Sequence, residues 1–134
     1  MIKVGRRTTF NAAHRLNNPS WSDEKNKEVF GKCNSPNYHG HNYTLETWVE
    51  GDINPDTGYV IDLGDLKKII KEEVEDPFDH RNFSLDVPEF ANLNPTAENI
   101  AKVIYEKLKP RLQEFKLVIR LYETENNFVE YTKD

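Results

Sequence analysis

Alternation between apolar and polar residues marks two extended stretches in the first half of the chain. Side chains two positions apart lie on the same face of a β-strand. This pattern runs from Lys3 to His14 and again from His39 to about Glu50, and it predicts the first two strands. The shared faces carry Val4, Arg6, Thr8, Phe10, Ala12 and His14 in the first strand and His39, His41, Tyr43, Leu45, Thr47 and Val49 in the second.

Apolar residues at helical spacing predict two helices after these strands. Asp62 is a suitable N-cap for the first helix. This helix should end at Asp76–Pro77, because the residue before a proline avoids helical geometry. The pair Pro95–Thr96 suits the opening of the second helix, and Pro110 marks its approximate end. The apolar stripes consist of Leu63, Leu66, Ile69, Ile70 and Val74, and of Ile100, Val103, Ile104 and Leu108.

The remaining segments are two final strands and two irregular stretches. A terminal hairpin is predicted from two strand-like segments, Lys116–Thr124 and Phe128–Tyr131. Arg15–Tyr38 is rich in Asn, Ser, Asp and Pro without a usable period, which predicts a long loop, and Phe78–Asn94 is a second irregular segment. Strands segregated from amphipathic helices predict one α+β domain, residues 1–134, with the helices covering one face of the sheet.

Composition narrows the class of protein. Apolar residues make up 37% and charged residues 31%, as in ordinary globular proteins. The net charge of −5 argues against a general nucleic-acid binder, which needs clustered cations. No apolar run exceeds three residues, so we expect no membrane span. Cys33 is the single cysteine and cannot form an internal disulfide, which favours a cytoplasmic setting.

Three of the four histidines are placed to converge. His39 and His41 project from the same face of the second strand, about 7 Å apart along the chain. Antiparallel pairing of the first two strands brings His14, at the end of one, beside the start of the other. Taken singly, a histidine on a strand is more often a hydrogen-bonded surface or core residue than a metal ligand. Three neutral imidazoles with a vacant fourth position are typical of a catalytic zinc site, and Gly40 leaves room for metal or substrate.

Three further candidates each have an ordinary alternative. Cys33 lies in a polar stretch and is either a base near the metal or a small buried hydrophobe. Asp79–His80 either caps a turn or forms a proton relay with Cys33. Glu123 shares a strand face with apolar residues, so it is either an edge charge in a salt bridge or an acceptor for ligand N–H groups. The residues alone leave these alternatives open.

Longer motifs surround these residues. Phe10–Leu16 and Phe30–Tyr43 contain the three converging histidines and the cysteine. The pattern continues through Asp79–Asn82, Asp86–Pro88, Pro95–Asn99 and Leu121–Thr124. This combination covers nearly the whole chain and resembles the signature of the 6-pyruvoyl-tetrahydropterin synthase and 6-carboxy-tetrahydropterin synthase family. Ala97 departs from it, since animal-type synthases often carry a second threonine there; the departure concerns a minor pocket contact.

The resemblance implies a fold and an assembly. It implies the tunnelling fold (T-fold), a four-stranded antiparallel sheet with two helices packed on one face. Subunits of this family assemble through their sheets into homo-oligomers, typically hexamers, with active sites at the subunit interfaces. The expected partners are therefore a pterin triphosphate substrate and further copies of the chain, with no nucleic acid and no membrane.

The resemblance also implies residue roles. His14, His39 and His41 match the zinc ligands, and the other matched positions are Cys33, Asp79 and His80 for proton transfer, Glu123 for anchoring the pterin ring, and Thr96 and Glu98 for lining the pocket. The implied reaction converts 7,8-dihydroneopterin triphosphate into 6-pyruvoyl-tetrahydropterin with loss of triphosphate, as in tetrahydrobiopterin biosynthesis. The triphosphate needs cations, which lysine, arginine or a bound Mg²⁺ would supply; the sequence does not assign them.

Two alternatives to this reaction remain at the level of sequence. The sister enzyme, 6-carboxy-5,6,7,8-tetrahydropterin synthase of queuosine biosynthesis, uses the same substrate and metal but expels acetaldehyde. Its bacterial members commonly have three residues between the cysteine and the first histidine of His-Gly-His, whereas five separate Cys33 from His39, as in the pyruvoyl-forming enzymes. The second alternative is a zinc- or pterin-binding module without turnover.

Overall fold

A computed structural model describes residues Met1–Asp134, and its five strands form one sheet in the order β3-β1-β2-β4-β5. The strands are β1 (Ile2–His14), β2 (His39–Gly51), β3 (Arg81–Asn82), β4 (Lys116–Tyr122) and β5 (Phe128–Tyr131). Neighbouring strands are antiparallel, except that β3 runs parallel to β1. The two long strands and the terminal hairpin are therefore confirmed, although β4 ends two residues before the predicted Thr124.

The α-helical segments are α1 (Asp23–Phe30), α2 (Leu63–Ile70), α3 (Asp76–Phe78), α4 (Phe83–Asp86) and α5 (Ala97–Leu108). The two predicted helices correspond to α2 and α5; α2 begins with the predicted N-cap, and α5 begins at the predicted pair Pro95–Thr96. Asp62 accepts a hydrogen bond from the Gly64 amide, and Thr96 accepts one from the Asn99 amide. None of the helices combines the length and the apolar character needed to cross a membrane.

The hydrophobic core lies between one face of the sheet and the helices. It contains 22 buried residues, which include Phe10, Tyr43 and Leu45 from the strands and Leu66 and Ile104 from the helices. The prediction that amphipathic helices cover one face of the sheet is thus confirmed. The opposite face is polar and includes Glu46, which pairs with Arg7 and Arg120. This sidedness fixes the direction in which the histidines of β1 and β2 point.

The prediction of a four-stranded, wholly antiparallel sheet is wrong. The His80 amide donates to the Asn11 carbonyl at 2.6 Å, which leads the chain alongside β1. Arg81 and Asn82 then pair in parallel with Ala12 and Ala13 as the short edge strand β3. Two residues are too few to show a period of two, so the sequence pattern carries no signal for this strand.

The prediction of a long loop over Arg15–Tyr38 is also wrong. The segment contains α1 and a 3₁₀ turn, Gly31–Asn34. The Ser22 side chain accepts a hydrogen bond from the Lys25 amide and caps α1. Only Asn26 of this helix is buried, so the sequence contains no apolar stripe from which the helix could be predicted.

The predicted end of the first helix, at Asp76–Pro77, is wrong as well. After α2 the chain forms a π-helical segment, Lys71–Glu75, and then α3. Pro77 lies in the first turn of α3, where a missing N–H is tolerated. The helical path therefore continues past the proline to Phe78, which is fully buried.

Candidate metal centre

The antiparallel register of β1 and β2 brings three histidines together. His14 lies directly opposite His39, and Ala12 lies opposite His41. The ring centroids are 4.5 Å apart for His14 and His39, 5.1 Å for His14 and His41, and 5.0 Å for His39 and His41. One ligand nitrogen from each ring lies within 4.8 Å of the others, so the three rings form a group that can hold a metal ion.

His14 is fixed in a single tautomer by its surroundings. It is 1% exposed, and its Nδ1 donates to the Pro95 carbonyl at 2.7 Å. A carbonyl oxygen only accepts, so Nδ1 carries the hydrogen and Nε2 carries a lone pair in the neutral ring. This Nε2 lies 3.0 Å from Nε2 of His39. Burial lowers the pKa of His14 and of His41, which favours the neutral rings that metals bind.

The donor set fits a zinc ion. Nδ1 of His39 and Nε2 of His41 are buried without any hydrogen-bond partner. Unpaired buried polar atoms are costly, and a cation bound to the lone pair of His41 Nε2 would relieve this cost at His41. Tetrahedral zinc with Zn–N bonds of about 2.0–2.1 Å holds its ligand nitrogens roughly 3.4 Å apart, close to the separation of His14 and His39. Three imidazoles with no fourth protein ligand leave one coordination position for a ligand from outside the chain.

Tyr43 is a member of this site that sequence analysis did not single out. Its hydroxyl is buried without a partner, and its ring centroid lies 5.6 Å from that of His41. Burial, with smaller contributions from Glu123 and Cys33, raises the pKa of Tyr43, so the phenol remains a neutral hydrogen donor. The period-two face that Tyr43 shares with His41 was the signal available in the sequence.

Glu123 reaches the same group from the end of β4. One carboxylate oxygen lies 3.6 Å from Nε2 of His41, and the side chain is 24% exposed. The Glu123 amide donates to the Asn127 carbonyl at 3.0 Å, which anchors the residue at the base of the terminal hairpin. A partly buried carboxylate beside the histidines presents an acceptor for a ligand donor.

Cys33 lies in the 3₁₀ turn and is partly buried. Its carbonyl accepts from the Leu16 amide at 2.9 Å, and the neighbouring Asn34 carbonyl accepts from Nε of Arg15 at 3.0 Å. These bonds tie the turn to the two residues that follow His14. The sulfur is not part of the group of close ligand atoms, so the thiol is free for chemistry of its own.

Asp79 and His80 form the predicted pair but do not join Cys33 within one chain. Asp79 Oδ2 lies 3.0 Å from His80 Nδ1, and Asp79 Oδ1 accepts from the Asn11 amide at 2.9 Å. That backbone hydrogen bond, aided by His80, lowers the pKa of Asp79. His80 has a left-handed backbone, φ 60°, and an 82% exposed side chain that makes no hydrogen bond to Cys33.

Thr96 and Glu98 differ in their relation to the site. Thr96 follows Pro95, the residue whose carbonyl holds His14, and its hydroxyl oxygen accepts from the Asn99 amide at 3.2 Å. Its O–H hydrogen remains available to a ligand. Glu98 is exposed and makes no hydrogen bond or ion pair within the chain.

The fold and this group of side chains define a class of protein: an α+β domain whose sheet presents three imidazoles, one buried and two partly buried, where β1 ends and β2 begins. Residues 3–134 match the family described as 6-pyruvoyl tetrahydropterin synthase, and the chain belongs to that family.

Individual relatives agree with this assignment. The chain is 47% identical to the 6-pyruvoyl tetrahydrobiopterin synthase of Homo sapiens over 130 residues, which cover 96% of this chain and 90% of that protein. It is 34% identical to the 6-carboxy-5,6,7,8-tetrahydropterin synthase of Rickettsia typhi over 149 aligned positions, 97% and 99% of the two chains. The solved structure of Caenorhabditis elegans 6-pyruvoyl tetrahydropterin synthase superposes with a TM-score of 0.93 at 38% identity, covering 99% of this chain and 96% of that one.

Proposed function

We propose that this chain is a zinc-dependent 6-pyruvoyl-tetrahydropterin synthase, which converts 7,8-dihydroneopterin triphosphate into 6-pyruvoyl-tetrahydropterin and triphosphate. The observation that carries the proposal is the group of three histidines, in which the lone pair of His14 Nε2 faces His39 at 3.0 Å. Family membership and the identity to the human synthase support the reaction type. Residues 1–134 act as one domain in this proposal, in the cytoplasm.

His14, His39 and His41 would hold the zinc ion. When bound, zinc supplies a Lewis acid that polarises oxygens of the substrate side chain and makes the adjacent protons easier to remove. The protein's own contribution is to favour the neutral rings of His14 and His41 by burial and to fix the His14 tautomer through the Pro95 carbonyl. Tyr43 adds a neutral hydrogen donor beside His41.

Cys33 is the proposed base that removes a proton from the substrate side chain. Its position outside the ligand group leaves the sulfur able to take and release a proton. His80, oriented by Asp79, exchanges the second proton. Because the His80 side chain is 82% exposed and makes no hydrogen bond to Cys33, it fits a site completed by a neighbouring copy of the chain. This arrangement agrees with the homo-oligomer, a hexamer with interfacial active sites, that the family resemblance implies.

Glu123 is the proposed anchor for the pterin ring. The amino-pyrimidine edge of a pterin carries N–H donors, and an ionised carboxylate accepts two of them with charge assistance. Thr96 would contribute its remaining O–H hydrogen to the same pocket. Glu98 is exposed in a single chain, so its role in lining the pocket also depends on a neighbouring copy.

The identity of the reaction products distinguishes this proposal from the sister activity and from a binding module without turnover. The purified, zinc-loaded protein is incubated with 7,8-dihydroneopterin triphosphate, and the products are identified by mass spectrometry. We expect 6-pyruvoyl-tetrahydropterin and inorganic triphosphate. Carboxy-tetrahydropterin with acetaldehyde would assign the sister activity instead, and unchanged substrate would indicate a binding module.

A further inference from the structure

A cavity of about 630 Å³ lies beside the metal centre and is not accounted for by the residues proposed so far. Its volume is within the range of small-molecule pockets. Arg15 and Tyr38 line it, and each is the chain neighbour of a proposed metal ligand. Pro95, which binds His14 through its carbonyl, lines it as well. The cavity and the metal centre therefore meet at Pro95.

The cavity offers hydrogen-bond donors and no carboxylate. Its lining includes Asn17, Asn18 and Asn94, and the oxygen of each amide is already used by the protein. Asn18 Oδ1 accepts from the Ser20 amide at 2.9 Å, and Asn94 Oδ1 accepts from the Asn17 amide at 3.1 Å. A backbone N–H can only donate, so these two side-chain amides have a fixed orientation. Their NH₂ groups have no partner within the chain.

The orientation of the Asn17 side-chain amide follows from two hydrogen bonds that Asn34 donates. Asn34 Nδ2 donates to the Leu16 carbonyl at 2.8 Å, which identifies that atom as the nitrogen. The same nitrogen donates to Asn17 Oδ1 at 2.9 Å. The Asn17 NH₂ group is therefore a third donor without a partner in the protein.

Arg15 adds a positive charge to this wall. Only its Nε is bonded, to the Asn34 carbonyl at 3.0 Å, and its guanidinium makes no ion pair. Lys25 places a second cation nearby, with Nζ 4.3 Å from the ring centroid of Trp21, another lining residue. No aspartate or glutamate lines the cavity, although acidic residues outnumber basic ones in the chain as a whole. Donors and cations without carboxylates are the chemistry of an anion site.

We propose that this cavity binds the triphosphate of the substrate, with Arg15 as its cation and the amides of Asn17, Asn18 and Asn94 as its neutral donors. The proposal rests on the function proposed above. Glu123 contacts the histidine group at His41, and Pro95 contacts it at His14. Glu123 and the cavity-lining Pro95 thus contact the histidine group at different rings, as a substrate with its pterin ring at one end and its triphosphate at the other requires.

Isosteric replacement of a neutral amide donor by a carboxylate tests this assignment. Asn18→Asp keeps the oxygen that accepts from the Ser20 amide but replaces the NH₂ donor with a negative oxygen. Asn94→Asp makes the same change and serves as the second variant if Asn18→Asp does not fold. Asn54→Asp is the matched control, because its oxygen accepts from the Asp56 amide in the turn beyond the far end of β2. All three variants change the net charge equally.

The probe is inorganic triphosphate as its magnesium complex, titrated calorimetrically into zinc-loaded and metal-free protein. We expect one triphosphate per chain in both forms. The affinity should be at least tenfold weaker in Asn18→Asp or Asn94→Asp and within twofold of wild type in Asn54→Asp. Absence of binding, equal losses in the site and control variants, or binding that disappears when zinc is removed would overturn the proposal.

The calorimetric result is independent of turnover. If triphosphate binds as described but no pyruvoyl-pterin forms, the reaction assignment fails while the anion site stands. If pyruvoyl-pterin forms but the cavity variants bind triphosphate like wild type, only the anion site fails.

Discussion

His14 and His39 are direct cross-strand partners, and their Nε2 atoms lie 3.0 Å apart. The hydrogen on His14 Nδ1, held by the Pro95 carbonyl, leaves the lone pair of His14 Nε2 facing His39. A proton on His39 Nε2 would bridge these two rings but would leave Nε2 of His41 buried and unpaired. A shared cation would instead bind the lone pairs of His14, His39 and His41 together.

Cys33→Ala should lower kcat by at least about 100-fold while leaving the zinc content unchanged, because it removes the proposed base and none of the proposed metal ligands. Steady-state kinetics and elemental analysis of the same preparation measure both quantities. Lys32→Ala, an exposed neighbour in the same 3₁₀ turn, is the control and should retain activity. Normal turnover by Cys33→Ala would show that another group is the base.

Glu123→Gln should lower kcat/KM by about 10- to 100-fold, because it removes the charge from two hydrogen bonds to the pterin edge. Glu125→Gln, an exposed position in the following hairpin loop, makes the same chemical change away from the histidines. Kinetics on both variants provide the comparison. Equal values of kcat/KM for the two would contradict the anchoring role of Glu123.

Asp79 should stabilise the fold in a pH-dependent way. The Asn11 amide lowers the pKa of this carboxyl below its ordinary value of 3.8, so the folded protein binds the proton less readily than the unfolded chain. The stabilisation is fully present above pH 3.8 and is lost as the pH falls through the folded pKa. Denaturant unfolding of wild type and Asp79→Asn should therefore differ by a constant amount at neutral pH and converge in acid. A difference that grew on acidification would contradict this sign.

Ser22→Ala should destabilise the protein by about 1 kcal/mol, because the N-cap bond to the Lys25 amide is lost at the start of α1. Ser20→Ala is a matched control, since the Ser20 hydroxyl makes no hydrogen bond and the residue is exposed. Thermal and urea unfolding of the two variants measure the difference. Equal stabilities would mean that the cap contributes nothing to α1.

The parts of the fold that sequence predicted are those in which burial imposes a period. One face of β2 points into the core, so Tyr43 and Leu45 alternate with polar residues. The stripe of α5 is visible because Ile100, Val103 and Ile104 are all buried. By contrast, α1 buries only Asn26, and β3 is held by two residues of backbone pairing. Neither element leaves a hydrophobic pattern to detect.

The candidate site was predictable from the sequence only where it depends on the pairing of β1 with β2. The convergence of His14 with His39 followed from strand ends and antiparallel pairing, which the register confirms. The exposed position of the His80 side chain was not predictable, because it depends on the turn at Asp79 and on the edge strand that follows. The donors of Asn17, Asn18 and Asn94 become visible only when the partners of each amide oxygen are known.

The metal content of freshly purified protein tests the central claim most directly. Inductively coupled plasma mass spectrometry should find one zinc per chain in wild type and less than about a tenth of that in His41→Ala. His80→Ala removes the one histidine outside the group and should keep its zinc. Wild-type protein without zinc, or equal zinc in both variants, would contradict the metal centre on which the proposed function depends.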